Sequence, residues 1–180
     1  SDWKEFKRNN ITDVVRQIYM KVQEIKPQVL VSADTITWGA YSGDFASTSA
    51  YTGVFQDWAS WMQKHYLDIN IPMAYKRESD ATQAQDYRNW VNFGVSNAND
   101  RHFIAGLGAY LNTVPNTKTQ ITYAQQNGCE GTCIYSYYQT NSEGTSTSTA
   151  LNDIKTSNFP TWEDVPECEW KTNPQTGFVT

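Results

Sequence analysis

Residues able to do chemistry recur at one kind of place in this chain, directly after short apolar runs. Asp34 and Trp38 follow Val29 to Ala33, and Tyr75, Lys76 and Arg77 close the run from Leu67. Tyr110 closes HFIAGLGAY, and Tyr135, Tyr137 and Tyr138 lie in GTCIYSYY. A carboxylate held at the end of a rigid element and partly withdrawn from water is tuned for general acid or nucleophilic work, which makes Asp34 the catalytic candidate. Trp38, Tyr75, Tyr110 and Tyr137 offer flat apolar rings with a polar tip, suited to sugar subsites. Lys76 or Arg77 can hold an anionic substituent such as a lactyl or uronate carboxylate. Each residue also has a duller role open to it: Asp34 as a helix cap or ion-pair partner, the tyrosines as core, the cations as solvated surface. Asp57, beside Trp58 and Trp61, is read as stabilising a helix N-terminus rather than reaching a cleft.

Other chemistries find no footing. His65 and His102 are isolated and are expected at the end opposite the strand-end residues, in structural roles. Cys129, Cys133 and Cys168 form an odd set with no histidine at zinc spacing, so no metal site is expected, and at most one bridge or buried thiols account for them. No Gly-x-Ser-x-Gly elbow and no Walker loop occurs, and no cofactor is implied.

The elements that must position these residues follow from periodicity. Ile11, Val14, Val15, Ile18, Val22 and Ile25 step by three and four until Pro27, which predicts a helix that already begins near Trp3 and Phe6. Val29 to Ala33 is nearly continuous in apolar residues, as for a strand covered on both faces. The spacing then predicts a helix from Val54, a strand over 67–75, a helix from the cap Asp80 to about Val91, and a strand over 102–110. A helix over 115–127 with Gly128 as its stop, a strand over 131–138 and a short helix around 150–154 complete the series. Residues 1–158 thus form one unit, and 159–180 an aperiodic, proline-containing extended tail. A helix followed by four strand–helix units demands an α/β fold with a parallel sheet. An open doubly wound sheet and part of a (βα) barrel both satisfy that order. Gly106-x-Gly108 lacks the third glycine of a phosphate loop and is read as close backbone packing, which favours the barrel.

Composition sets outer bounds. In 180 residues there are 14 Lys and Arg against 19 Asp and Glu, and the basic residues never cluster, so nucleic acid is not an expected partner. No apolar run nears the ~20 residues of a membrane-spanning helix. Aromatic residues reach 14% while charged residues stop at 18%, a balance that goes with secreted carbohydrate-handling proteins.

Six short motifs then carry a resemblance. They are Trp3-x4-Arg8-x-Asn10-Ile11, Lys26-Pro27, Gln56-Asp57-Trp58-x2-Trp61, Ile71-Pro72-Met73-x-Tyr75, Gly106-x-Gly108-x-Tyr110 and Tyr135-Ser136-Tyr137. In that order and spacing, over most of residues 3 to 138, they resemble the second half of the glycosyl hydrolase-like 10 family, bacterial secreted or envelope (β/α)8 barrels of which some cleave peptidoglycan. The resemblance implies a TIM-type barrel represented by strands five to eight, with a further catalytic carboxylate upstream of residue 1, the chain a fragment, and the tail around Trp170-x2-Asn173-Pro174 leading toward a following module. It implies a glycoside hydrolase acting on a polysaccharide through two carboxylates, outside the cell or in the bacterial (periplasmic) envelope. The rival is a non-catalytic carbohydrate-binding or scaffold barrel. The expected partners are a glycan and either the missing N-terminal half of the barrel or a second copy covering the open sheet edges.

Overall fold

The computed structural model describes residues 2–172. Helix α1 spans Asp2–Ile25 and is followed by β1, Ser32–Thr35, then by α2, Ser49–Thr52, and α3, Trp58–Gln63. Strand β2 is Ile69–Pro72, helix α4 Ala81–Ser96, strand β3 His102–Gly108 and helix α5 Val114–Gln126. Strand β4 is Gly131–Tyr135, and helices α6, Thr147–Asn158, and α7, Glu169–Thr172, end the series.

The four strands pair in parallel in the order β1-β2-β3-β4. Sequential order with right-handed crossovers and no reversal sends every connecting helix to the same face. A doubly wound sheet reverses its order and covers both faces, so the open-sheet alternative does not describe this chain. Thr35, Asn70, Phe103, Ala105 and Leu107 point into the helical layer and are fully buried. The core there joins Trp58, Trp61, Met62, Leu67, Tyr87, Trp90, Ile121 and Ile154 in one cluster. On the open face Ser32, Asp34, Cys133 and Tyr135 are exposed. The arrangement is an α/β fold compatible with part of a barrel, with β1 and β4 as edges.

The helices start where side chains cap them. Asp57 accepts from the Ser60 N–H, Asp80 from Thr82 and Gln83, Thr113 from Asn116 and Ser146 from Thr149. Pro115 stands in the first turn of α5, and past its end Gly128 adopts φ +86°, a left-handed conformation that favours glycine. Trp61 donates from Nε1 to Thr12 Oγ1 at 2.9 Å, which fastens α1 to α3.

Three expected boundaries are corrected. Strand β1 begins at Ser32 rather than Val29, because the Asp68 carboxylate accepts from the Val31 N–H at 2.8 Å while the Asp68 N–H donates to the Val31 carbonyl at 2.8 Å. That clasp brings the chain into the sheet only at Val31, so Val29 and Leu30 stay exposed and β1 is covered on one face instead of two. Helix α3 begins at Trp58 rather than Val54, because Phe55 sits at φ 61° and breaks any helix through it. Strand β4 stops at Tyr135, three residues short of Tyr138.

Close approach explains the two glycines of β3. A Cβ on Gly106 would stand 2.4 Å from the Pro72 carbonyl oxygen, and one on Gly108 2.8 Å from the Tyr75 Cβ. Both glycines serve backbone packing, as the missing phosphate-loop glycine suggested.

Residues 159–168 run without helix or strand to α7, which folds back to the end of the sheet where the strands begin. Trp170 donates from Nε1 to Asp68 Oδ1 at 2.7 Å, and Lys171 pairs with Asp68 Oδ2 at 3.0 Å. Asp68 is wholly buried and also accepts from the Tyr19 hydroxyl at 3.0 Å. The Arg101 guanidinium lies 4.4 Å from the centre of the Trp170 ring.

Candidate functional site

Three tyrosines meet at the ends of β2, β3 and β4. The Tyr75 and Tyr135 rings stack at 5.3 Å, and Tyr110 stands edge-on to both, at 6.2 Å and 6.0 Å. Register explains the meeting: Gly108 pairs with Tyr135 across β3 and β4, and the space over Gly108 is where the Tyr75 side chain lies. A ring pair of this kind contributes ~0.5–1.5 kcal/mol beyond its buried area, enough to hold the wall before any ligand arrives.

Asp34 and Cys133 complete this face. Asp34 is paired across the sheet with Ile71, is exposed, and makes no hydrogen bond or ion pair among the described residues. Burial, and then the charges of Cys133, Asp34, Tyr135 and Tyr110, push the Tyr75 phenol up to about 12, so it stays a hydrogen-bond donor at any physiological pH. Desolvation and then the Asp34 charge likewise raise the Cys133 thiol, which keeps it protonated and a poor nucleophile. Asp34 on one edge strand thus acts electrostatically on a thiol of the other edge strand across the open face.

The remaining candidates are held apart from this wall. Trp38 is 58% exposed on the segment leaving β1, and Tyr137 is 80% exposed beyond the end of β4. Neither ring touches the tyrosine cluster among the described residues. Lys76 is buried, with Nζ donating to the Gly39 carbonyl at 2.8 Å and to the Thr37 carbonyl at 3.3 Å. Burial lowers its pKa, and the Asp86 charge opposes that shift. Its ammonium therefore fastens the loop that carries Trp38 instead of facing the cleft. Trp90 adds Nε1–H to the same Gly39 carbonyl at 3.0 Å, and Asn112 and Gln120 hold the Lys76 carbonyl at 2.8 Å and 3.1 Å. Arg77 is exposed at the rim and donates from Nη1 to the Leu111 carbonyl at 3.2 Å.

Cys133 is the member that strand-end reading left out, and Tyr135, noted there beside Tyr137 and Tyr138, was passed over for Tyr137 as a subsite residue. Placing the strand end at Tyr138 drew attention to Tyr137, whereas the alternation of β4 turns Cys133 and Tyr135 to the open face together. The pairing of Gly106 with Cys133 and of Gly108 with Tyr135, against two residues without side chains, was the available signal.

The two histidines fall at the opposite end. His65 lies near the Asn99 carbonyl at 3.1 Å, and His102 Nε2 stands 3.3 Å from Cys168 Sγ with Trp170 packed on its ring. Cys129, Cys133 and Cys168 are all free thiols. Among the described residues, no three His, Cys, Asp or Glu side chains gather in a way that could hold a metal ion, and no helix is long and apolar enough to cross a membrane.

The family described as Glycosyl hydrolase-like 10 has a model that matches residues 1–125. No curated protein and no solved structure matches the chain.

Proposed function

The chain belongs to the glycosyl hydrolase-like 10 family, and from that premise we propose that the tyrosine-walled face binds a polysaccharide for cleavage of its glycosidic bonds. The observation that carries this is the convergence of Tyr75, Tyr110 and Tyr135 at the strand ends of a sheet whose open face also carries an unpartnered carboxylate, Asp34. The rings supply stacking surface for sugar faces, and the Tyr75 hydroxyl, kept protonated, supplies a donor. Asp34 acts as one of two catalytic carboxyl groups, as acid, base or nucleophile. Trp38 and Tyr137 extend the surface to outer sugar units, and Arg77 sits at the rim within reach of a substituent. Lys76 positions the Trp38 loop.

Glycoside hydrolysis uses a carboxyl pair about 5 Å apart for retention and about 6.5–9.5 Å apart for inversion. The second carboxyl comes from the strands that complete the barrel against the open edges of β1 and β4, either a further half of the barrel or a second copy. A peptidoglycan-like or other cell-surface glycan, met in the bacterial envelope or outside the cell, fits this reading. Asp34→Asn in the completed barrel should lower glycan cleavage by at least ~100-fold with saccharide binding retained, the scale of a lost acid–base group. Unchanged cleavage would remove Asp34 from the chemistry.

One observation favours a second reading. Asp34 is the only carboxylate described on the open face, and one carboxylate suffices for binding but not for hydrolysis. A carbohydrate-binding barrel would hold the same saccharides with no release of reducing ends.

A further inference from the structure

A second cleft opens in the helical layer, between the segment that leaves β1 and the later turns of α4, and none of its lining belongs to the tyrosine wall. It holds about 640 Å³, within the ~300–1,000 Å³ of small-molecule sites, and its lining includes Tyr41, Ser42, Asn89, Asn92, Phe93 and Ser96. The apolar part is fixed by packing. Tyr41 stacks on Phe93 at 4.4 Å and tilts against Trp90 at 5.3 Å, and Phe93 stacks in turn on Phe45 at 5.2 Å. Lys76 Nζ and Trp90 Nε1 both donate to the Gly39 carbonyl, two residues before Tyr41, and so anchor the segment that carries the ring. The polar part is oriented as well. The Tyr123 hydroxyl donates to Asn92 Oδ1 at 2.9 Å, and Gln85 Nε2 donates to Asn89 Oδ1 at 2.9 Å. The amino groups of both asparagines and the hydroxyls of Tyr41, Ser42 and Ser96 bond no other group among the described residues, so their capacity faces the cleft and solvent. No charged side chain lines the cleft among the described residues. Asp44, next along the segment, accepts from the Ala46 N–H at 3.0 Å, and Arg88, beside Asn89 in the chain, pairs with Glu78 at 2.5 Å.

A held aromatic ring among neutral donors and acceptors, with no ionic group, matches an uncharged sugar, which offers a C–H face to stack and hydroxyl or acetamido groups to bond. Resting on the glycan reading above for the class of ligand, we propose that this cleft is a second saccharide-binding site, taking uncharged hexose or N-acetylhexosamine units. Tyr41 supplies the stacking ring, Asn89 and Asn92 donate to sugar oxygens, and Ser42 and Ser96 bond the sugar from the two sides. Because the ring and the amides are already held, binding orders little that was free before. The site thus holds a glycan chain on the protein independently of the strand ends.

The test is nuclear magnetic resonance titration of the full chain, labelled with nitrogen-15, against tetramers of N-acetylglucosamine, glucose and galacturonic acid. The side-chain amides of Asn89 and Asn92 and the backbone amide of Ser42 should shift and saturate with at least one uncharged tetramer, and the galacturonic tetramer should bind there more weakly. Asn92→Ala removes one donor at an exposed helix position that alanine suits, and should weaken binding at the cleft about fivefold. Tyr41→Ala removes the stacking ring and should weaken it about tenfold. In both variants the amides of Tyr75, Tyr110 and Tyr135 should titrate as in the unsubstituted protein. Shifts confined to those three tyrosines overturn the second site and leave the glycan reading standing. Cleft shifts that persist unchanged in both variants, or that the galacturonic tetramer matches, overturn it as general adsorption. Saturable shifts confined to the cleft and lost in the variants sustain the second site and remove the tyrosine wall from saccharide binding. No shift at either place overturns the glycan reading and this inference together.

Discussion

Gly108 and Tyr75 occupy one place between them. With a Cβ on Gly108 only 2.8 Å from the Tyr75 Cβ, Gly108→Val should push the Tyr75 ring off Tyr135, weaken saccharide binding and cost ~1–3 kcal/mol. Near-ultraviolet circular dichroism and a binding titration check it, and an intact tyrosine signal with unchanged affinity would count against the arrangement. Tyr75 and Tyr19 both rise to about 12, Tyr75 chiefly by burial and Tyr19 by burial and then the Asp68 charge. An unfolded tyrosine ionises near ~10, so the unfolded chain releases these protons first. Their contribution to stability is complete below about pH 10 and is lost as pH climbs through about 12. Melting temperatures between pH 8 and 12 should fall in that window, with tyrosinate absorbance lagging until the chain unfolds. Cys129, pushed up to about 12 mainly by burial, should react with thiol reagents far more slowly than the exposed Cys133. Asp34, Tyr75 and Tyr110 were legible because strand ends in a parallel array share a face. The burial of Lys76 was not, since a lysine between a tyrosine and an arginine looks like surface until two loop carbonyls are seen to surround its ammonium.

At the level of elements, local chemistry decides where helices begin and tertiary contact decides where strands do. Pro27, the Asp80 cap and the Gly128 stop could be read directly, because each acts within a few residues of itself. The start of β1 could not, because it depends on Asp68, which is 37 residues from Val31 in the chain. The packing of α4 on β3 has the same non-local character. A Cβ on Gly94 would sit 2.0 Å from the Phe103 ring, and that ring is fully buried with nowhere to move. Gly94→Ala should therefore destabilise by ~1–3 kcal/mol despite alanine's better helix propensity. A denaturant midpoint at or above that of the unsubstituted protein would show that the helix can shift away from the sheet.

On the scale of the molecule, the sheet is closed at one end and open at the other. At the closed end, α7 brings Trp170 and Lys171 onto a carboxylate that has no access to water. Removing the cation leaves Asp68 buried with only neutral donors, so Lys171→Met should cost ~3 kcal/mol, and pairing it with Asp68→Asn should recover part of that loss in a double-mutant cycle. Independent, additive losses would separate the two residues. The sequence showed three prolines and no periodicity after Phe159, which describes the path of residues 159–168 but not the docking of Trp170, whose partner lies 102 positions earlier. This layout has a practical side. Because α7 returns the chain to the end of the sheet opposite the tyrosine wall, attachment of the protein to a sensor surface near α7 would present the tyrosine-walled side outward to solution, whereas attachment through Cys133 would bury it.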